Sequence, residues 1–308
     1  MDSENNETVI TLGGHIELQK YRFLYFFFLL VIYILILCSN STIICLIWIH
    51  KNLHEPMYIF IAALLWNSIL YSTSLYPKLL FDFLSEKQIT TYSHCLLQCF
   101  LYYFLNASEF LLLTAMAYDR YISINKPLQY AAIMGKTTVT LFLSLAWIVP
   151  ACQIALPVAL SANTKLCHFV LKGIFCNNSI YKLHCMSSAA LSVYGVFSLI
   201  NLTVIPVLFI LFTYTRIFIL AYQRCGEIRK KAAQTCLPHL LILFNFTFLF
   251  TYDVTLVKLE SDLSNSVRLT LTLQVIICHP LFNPIIYGLK MKEISKSLKK
   301  LFYHENVT

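Results

Sequence analysis

The chain alternates long apolar runs with short polar breaks, and the runs are too long and too evenly apolar to be strands or half-buried surface helices. Crossing a bilayer as a helix takes about 20 mostly apolar residues. Seven stretches meet that length, at roughly 23–49, 57–81, 96–122, 138–160, 190–221, 237–257 and 268–289. Beyond the seventh, Ile294, Leu298, Leu301 and Phe302 share one helical face while Lys292, Lys296, Lys299 and Lys300 lie largely off it. This predicts a short amphipathic helix on the membrane surface. The expected fold is an all-α membrane protein: a seven-transmembrane helix bundle with a short amphipathic C-terminal helix. It is read as one domain over 1–308, with a tail at 1–22, the bundle at 23–289 and an end segment at 290–308.

Composition supports lipid as the solvent. With 58% hydrophobic and 12% charged residues, 308 residues have too little polar surface to cover a soluble globule. Only 7 glycines and no sustained apolar/polar alternation argue against a transmembrane barrel. The first residues are polar and acidic (Asp2, Glu4, Glu7, Glu17), without the basic start and apolar core of a cleavable signal, so insertion is expected to rely on the first helix.

Most of the 23 Lys and Arg fall at one side if the N-terminus is outside, at Lys51, Arg120, Lys126, Lys136, Arg216 and the run Arg224, Arg229, Lys230 and Lys231, then beyond helix seven. Cytoplasmic loops retain such residues, so the expected topology is N-terminus extracellular and C-terminus cytoplasmic at the plasma membrane. The net charge of +8 is on this reading a topology signal and not a nucleic-acid footprint. Cys95, Cys167, Cys176 and Cys185 land in outward loops or helix ends, where disulfides are permitted; four cysteines allow three pairings. Their spacing lacks a Cys-x-x-Cys pair, which disfavours a zinc site. Asn6-Glu7-Thr8 is a glycosylation acceptor in the exposed tail, and Asn177-Asn178-Ser179 is another.

At the inner end of the third stretch stands Met116-Ala117-Tyr118-Asp119-Arg120-Tyr121, followed by Ile124 and Lys126-Pro127-Leu128-Gln129-Tyr130. Further segments follow in order: Asn40 in helix one, Leu53-His54-Glu55-Pro56-Met57-Tyr58 before helix two, Lys231-Ala232, Thr235-Cys236 and His239-Leu240 opening helix six, and Asn283-Pro284-Ile285-Ile286-Tyr287 ending helix seven. Together they resemble the olfactory branch of the rhodopsin-like G-protein-coupled receptors over essentially the whole chain.

The resemblance implies an odorant-type receptor with a small-molecule odorant and a heterotrimeric G protein as partners and membrane lipid as its surroundings; no cofactor is called for. It implies a switch at Asp119, Arg120 and Tyr121. An adjacent acid and base at a membrane boundary can pair, then change partners. It adds Tyr214 below Pro206 on helix five, and Asn283, Pro284 and Tyr287 on helix seven. Pro284 removes a donor, and Asn283 is expected to bind the carbonyls this frees. It also selects the disulfides Cys95 to Cys176 and Cys167 to Cys185, which would fold the second outer loop over the pocket.

Receptors of this class hold ligand in the outer half of the bundle. Counting inward from Cys95 gives Tyr102, Tyr103, Asn106 and Ala107; helix five offers Ser198, and helix six Thr247, Thr251 and Tyr252. Aromatics with a few hydroxyls and amides suit a small, partly apolar molecule. Asp253 and Lys258 could receive a charged odorant, such as an amino acid or short carboxylate. The helix-three position that holds ammonium groups in aminergic receptors is Tyr102, which disfavours amines.

The chain departs from the pattern twice. Glu109 lies within helix three, where an ionisable group is costly unless satisfied, and its usual companion acid in helix two is Ser68. A sodium ion held by two acids therefore loses one holder, while Asn40, Ser68, Glu109 and Asn283 can supply a polar core. Helix six has Phe246-Thr247-Phe248 in place of Phe-Tyr-Gly, which suggests a divergent, fish-type branch. A transporter or channel is the alternative, but the sequence shows neither paired halves with broken helices nor, beyond Glu109, a path of buried charges. Enzyme chemistry is not expected: His50, His54, His239 and His279 are scattered and do not converge by spacing.

Overall fold

The computed structural model describes residues 8–14, 21–186, 188–222, 226–258 and 265–303, without the side chains of 226–235, 252, 253, 255–258, 265, 266 and 301–303. Asn6 and the side chains of Arg224, Arg229, Lys230, Lys231, Tyr252, Asp253, Lys258, Leu301 and Phe302 lie outside them.

Seven long helices follow one another: α1 (Arg22–Ile49), α2 (Pro56–Leu84), α3 (Tyr92–Asn125), α4 (Lys136–Ser161), α5 (Ala189–Tyr222), α6 (Gly226–Lys258) and α7 (Asn265–Lys290). Among the described residues, six of these are long and apolar enough to cross a membrane, and α6 contributes the shorter apolar stretch Cys236–Thr251. The protein is a seven-transmembrane all-α bundle, closed by the amphipathic helix α8 (Lys292–Tyr303). In α8, Ile294 is buried while Lys292, Lys296, Lys299 and Lys300 are exposed.

The bundle carries its apolar surface on both sides. In α1, Leu29, Ile32, Ile36, Asn40, Ile43 and Ile47 recur every three or four residues and face the neighbouring helices. Phe23, Leu24, Phe27, Phe28, Val31, Ile34 and Leu35 face outward and exposed. A water-soluble helix would carry charge there, so this perimeter fits hydrocarbon. Helix α3 runs through the middle, packed on α2, α4, α5 and α6, with buried residues along its length from Cys95 to Ile122. Helix α4 is peripheral, burying only Val139, Ala146, Pro150 and Ser161.

Local chemistry sets the ends and bends. Thr91 caps α3 by accepting a hydrogen bond from the His94 amide, so the helix starts a turn earlier than hydropathy indicates. Pro56 opens α2 at a position where no amide is needed. Before Pro206, Ile200–Val204 widen into a π-helical turn, a common device where a helix bends. Arg229, Lys230 and Lys231, read from sequence as a loop, stand on the first turns of α6; basic residues leave helix propensity intact while lowering hydropathy.

At the end carrying Cys95 the chain builds a small sheet that hydropathy did not predict. Strand β1 (Val9–Leu12) lies between β2 (Ile89–Thr91) and β3 (Val170–Leu171), antiparallel to the first and parallel to the second. Its alternate residues Ile10 and Leu12 point into a cluster with Tyr92, Leu96, Leu171, Ile180 and Leu183. Gly14 allows the tail to pass Gly173: a Cβ there would sit 2.7 Å from that residue's carbonyl carbon.

Candidate functional site

Three regions along the bundle axis carry the polar chemistry. The first is the cap at the Cys95 end. Disulfides join Cys95 to Cys176 and Cys167 to Cys185. Gln98, about one turn below Cys95, accepts the Cys176 amide at 2.9 Å and donates to the Ser74 carbonyl at 3.3 Å, tying the loop to α3 and α2. Tyr103 accepts the Asn178 amide at 3.2 Å. Tyr92 donates to the Ser161 carbonyl at 2.8 Å and meets His184 Nε2 at 2.9 Å.

Desolvation holds His184 below the ordinary imidazole range. A depressed folded-state value means that the unfolded chain takes the proton first. Stability is then full above the ordinary value of about 6.5 and falls as pH drops through and below it. Loss of cap protection in hydrogen exchange between pH 7 and 5 is the expected outcome, flattened by His184→Gln; equal protection across that range in the unmodified protein would refute it.

Beneath the cap, Tyr102 is 1% exposed, in ring contact with Tyr71, Tyr103 and Phe175. The candidate pocket residues do not share one orientation. Asn106 donates to the Tyr102 carbonyl at 2.7 Å within its own helix, and Ala107 is buried. Ser198 faces α4, accepting from Gln153 Nε2 at 3.4 Å. On α6, Thr247 Oγ1 is buried without a hydrogen-bond partner, while Thr251 is exposed. Phe175, Gln98 and Gln153 were missed by sequence reasoning. Of these, Gln98 had a usable signal, lying three residues after Cys95 on the same helical face.

The second region is the bundle centre. Glu109, fully buried, accepts Asn283 Nδ2 on Oε1 at 3.0 Å. Its Oε2 accepts Asn67 Nδ2 at 3.3 Å and meets His279 Nε2 at 2.5 Å. Asn67 also donates to the Leu105 carbonyl at 3.0 Å, and Asn283 to Ser68 Oγ at 2.9 Å. Two expectations need correction. His279 is not scattered from other chemistry, since helix packing brings it onto Glu109. Asn283 does not bind the carbonyls released by the helix-seven prolines. Pro280 and Pro284 free the carbonyls of Ile276 and Pro280, four residues back. Tyr76 donates to the first at 3.4 Å and Asn40 to the second at 3.2 Å, each from a neighbouring helix.

The third region is the opposite end. Asp119 is fully buried and Arg120 8% exposed. Arg120 binds Asp119 through Nε, at 2.9 Å, and through Nη2. Tyr130, on the one-turn helix Tyr130–Ile133, donates to the other carboxylate oxygen at 2.8 Å. Burial, then the Asp119 charge, pushes the Tyr130 phenol upward, keeping it a donor. Tyr121 packs against the core from a half-buried position. Tyr287 meets His239 Nδ1 at 3.3 Å, and the buried Tyr214 hydroxyl has no hydrogen-bond partner. Among the described residues, no group of His, Cys, Asp and Glu is arranged to hold a metal ion.

Comparisons with known proteins agree over nearly the whole length. The model of the family described as olfactory receptor matches residues 29–305. The chain is 32% identical to olfactory receptor 2A12 of Homo sapiens, covering 98% of this chain and 99% of that one. It is 32% identical to olfactory receptor 11A1 of Homo sapiens (97% and 96% covered) and 30% identical to olfactory receptor 4M1 of Mus musculus (96% of each). These relatives are mammalian and lend nothing to a fish-type assignment.

Proposed function

The chain belongs to the olfactory receptor family, a multi-pass receptor of the plasma membrane and not an enzyme, and we propose specific roles for its residues within that function. Odorant sensing and G-protein coupling come with the family. The finer reading is that the odorant enters beneath the disulfide-tied cap, between α3, α5 and α6, against Tyr103 and toward Thr247. The cap supports it, because Cys176, Gln98, Asn178 and Tyr103 hold one loop across that half of the bundle. Thr247 contributes a buried hydroxyl with no protein partner, a group that a bound polar atom would satisfy. Tyr102, Asn106 and Ala107 then shape the floor from within α3, and Ser198 acts through its α4 contact.

Asp119, Arg120 and Tyr121 form the coupling switch on this reading, with Tyr214, Asn283, Pro284 and Tyr287 as the surfaces that rearrange. Arg224, Arg229, Lys230 and Lys231 meet the G protein and anionic lipid, which sets the N-terminus outside and the C-terminus in the cytoplasm. Agonist acts by binding the active bundle more tightly than the resting one. A cell-based cAMP reporter, screened with amino acids, bile acids, short acids and neutral volatiles, should give a saturable response to one class. Thr247→Val should shift its midpoint roughly tenfold, the scale of one lost hydrogen bond to a polar ligand. An unshifted midpoint in Thr247→Val and Tyr103→Phe alike would remove the pocket assignment and leave the receptor class intact.

A further inference from the structure

The class this chain resembles can hold a sodium ion between two acids at the bundle centre, and the residues present here do not fit that ion. A hard cation needs oxygen lone pairs aimed at it. Around Glu109 the groups aimed inward are N–H donors: Asn283 Nδ2 on one oxygen, Asn67 Nδ2 and His279 Nε2 on the other. Neither amide can turn its oxygen inward without loss. Asn67 is fixed by its second bond, to the Leu105 carbonyl, and Asn283 by its bond to Ser68 Oγ. Ser68 in turn donates to the Leu64 carbonyl at 3.2 Å and brings no charge.

Glu109 still requires a counter-charge, because an isolated carboxylate deep in the bundle is strongly disfavoured. The neighbouring elements offer few candidates. Arg120 is engaged by Asp119 and Lys78 by Asp82, toward opposite ends of the bundle. On α2 the titratable groups nearby are the phenols of Tyr71 and Tyr76, and on α3 that of Tyr102. On α7 it is Tyr287, and on α6 the buried His239, whose Nδ1 meets the Tyr287 hydroxyl at 3.3 Å and not Glu109. Among the described residues His279 is the only basic side chain in contact with Glu109. Its ring stacks on Phe246 at 4.7 Å and meets Tyr71 edge-on at 4.6 Å, aromatic walls that tolerate positive charge and leave its Nδ1 without a polar partner.

We infer that His279, seated on Glu109 among the two amide donors, compensates the carboxylate in place of a sodium ion and makes the receptor insensitive to that ion. His279 is then a positioning residue for α7, because it joins that helix to α3 through Glu109 one turn from Asn283.

This rests on the receptor assignment for the fold but not on the odorant pocket, so the test reads stability and not signalling. The purified full-length receptor is melted in sodium chloride and in choline chloride at equal ionic strength. Superimposable curves are expected, and a saturable rise in melting temperature with sodium overturns the inference. His279→Gln keeps a donor but leaves Glu109 uncompensated. It should melt lower by on the order of 5–10 °C, and equally so in choline and in sodium. The Glu109→Gln/His279→Gln double variant carries no charge and should melt within a few degrees of the unmodified receptor. If His279→Gln melts like the unmodified protein, or if the double variant melts as low as the single or cannot be purified, shape and not charge accounts for His279 and the inference falls.

Discussion

Asp119→Ala is expected to raise agonist-free cAMP several-fold and to lower the melting temperature of the purified receptor. The fully buried Asp119 carboxylate is bound on one oxygen by Arg120 and on the other by Tyr130. Removing it leaves an almost buried guanidinium without its partner, at a cost of about 3–5 kcal/mol to the resting arrangement. Any conformation that exposes Arg120 to water or to a G-protein peptide gains by that amount, and the balance shifts toward it. Tyr130→Phe removes one neutral donor and should do the same more weakly, by about 1–2 kcal/mol, with a smaller rise in basal signal. A surface-expressed Asp119→Ala receptor with unchanged basal activity would show that this pair does not restrain the resting state.

Cys95→Ser should lower the amount of receptor at the cell surface by several-fold or more, and Cys167→Ser by less. The first bridge closes a separation of 81 residues and the second one of 18, so chain entropy gives about 4.5 and 3 kcal/mol respectively. The first bridge also keeps the Cys176 amide on Gln98 and its neighbour loop on Tyr103. Destabilisation on this scale is expected to appear first as lost abundance. Flow cytometry on intact cells, with total receptor as the denominator, separates folding loss from lost synthesis. Equal surface fractions for the two variants would contradict the ranking.

The spans were legible because hydrocarbon imposes a length on every crossing, and runs such as Phe23 to Ile49 meet it without ambiguity. Helix ends were less so. Hydropathy placed the start of α3 near Leu96, whereas the Thr91 cap puts it at Tyr92. Likewise α6 already runs at Gly226, ahead of its apolar stretch Cys236–Thr251, through basic turns whose composition a membrane scan rejects and a helix accepts. The strands of the cap carried no warning. Four residues, Val9–Leu12, cannot announce a period, and their partners lie far along the chain.

At the bundle centre, Glu109 was visible as an acid in an apolar run, but its partners depended on how three helices pack. His279 had a local clue in its position four residues before Asn283, on the same face of α7. Asn283 illustrates the opposite error. Its place beside Pro284 suggested a local bond, yet the carbonyls freed by the two prolines are reached by Asn40 and Tyr76. Side-chain reach between helices decided that outcome, and no single helix encodes it.

Strand β1 is also the element that waits longest for its neighbours. Translation delivers Val9–Leu12 before any helix, but its flanking strands emerge only at Ile89–Thr91 and Val170–Leu171. Because contacts so distant along the chain form late, completion of this closure reports that at least four crossings have been threaded. A half-made copy therefore carries the hydrogen-bonding edges of Val9–Leu12 without the strands that cover them.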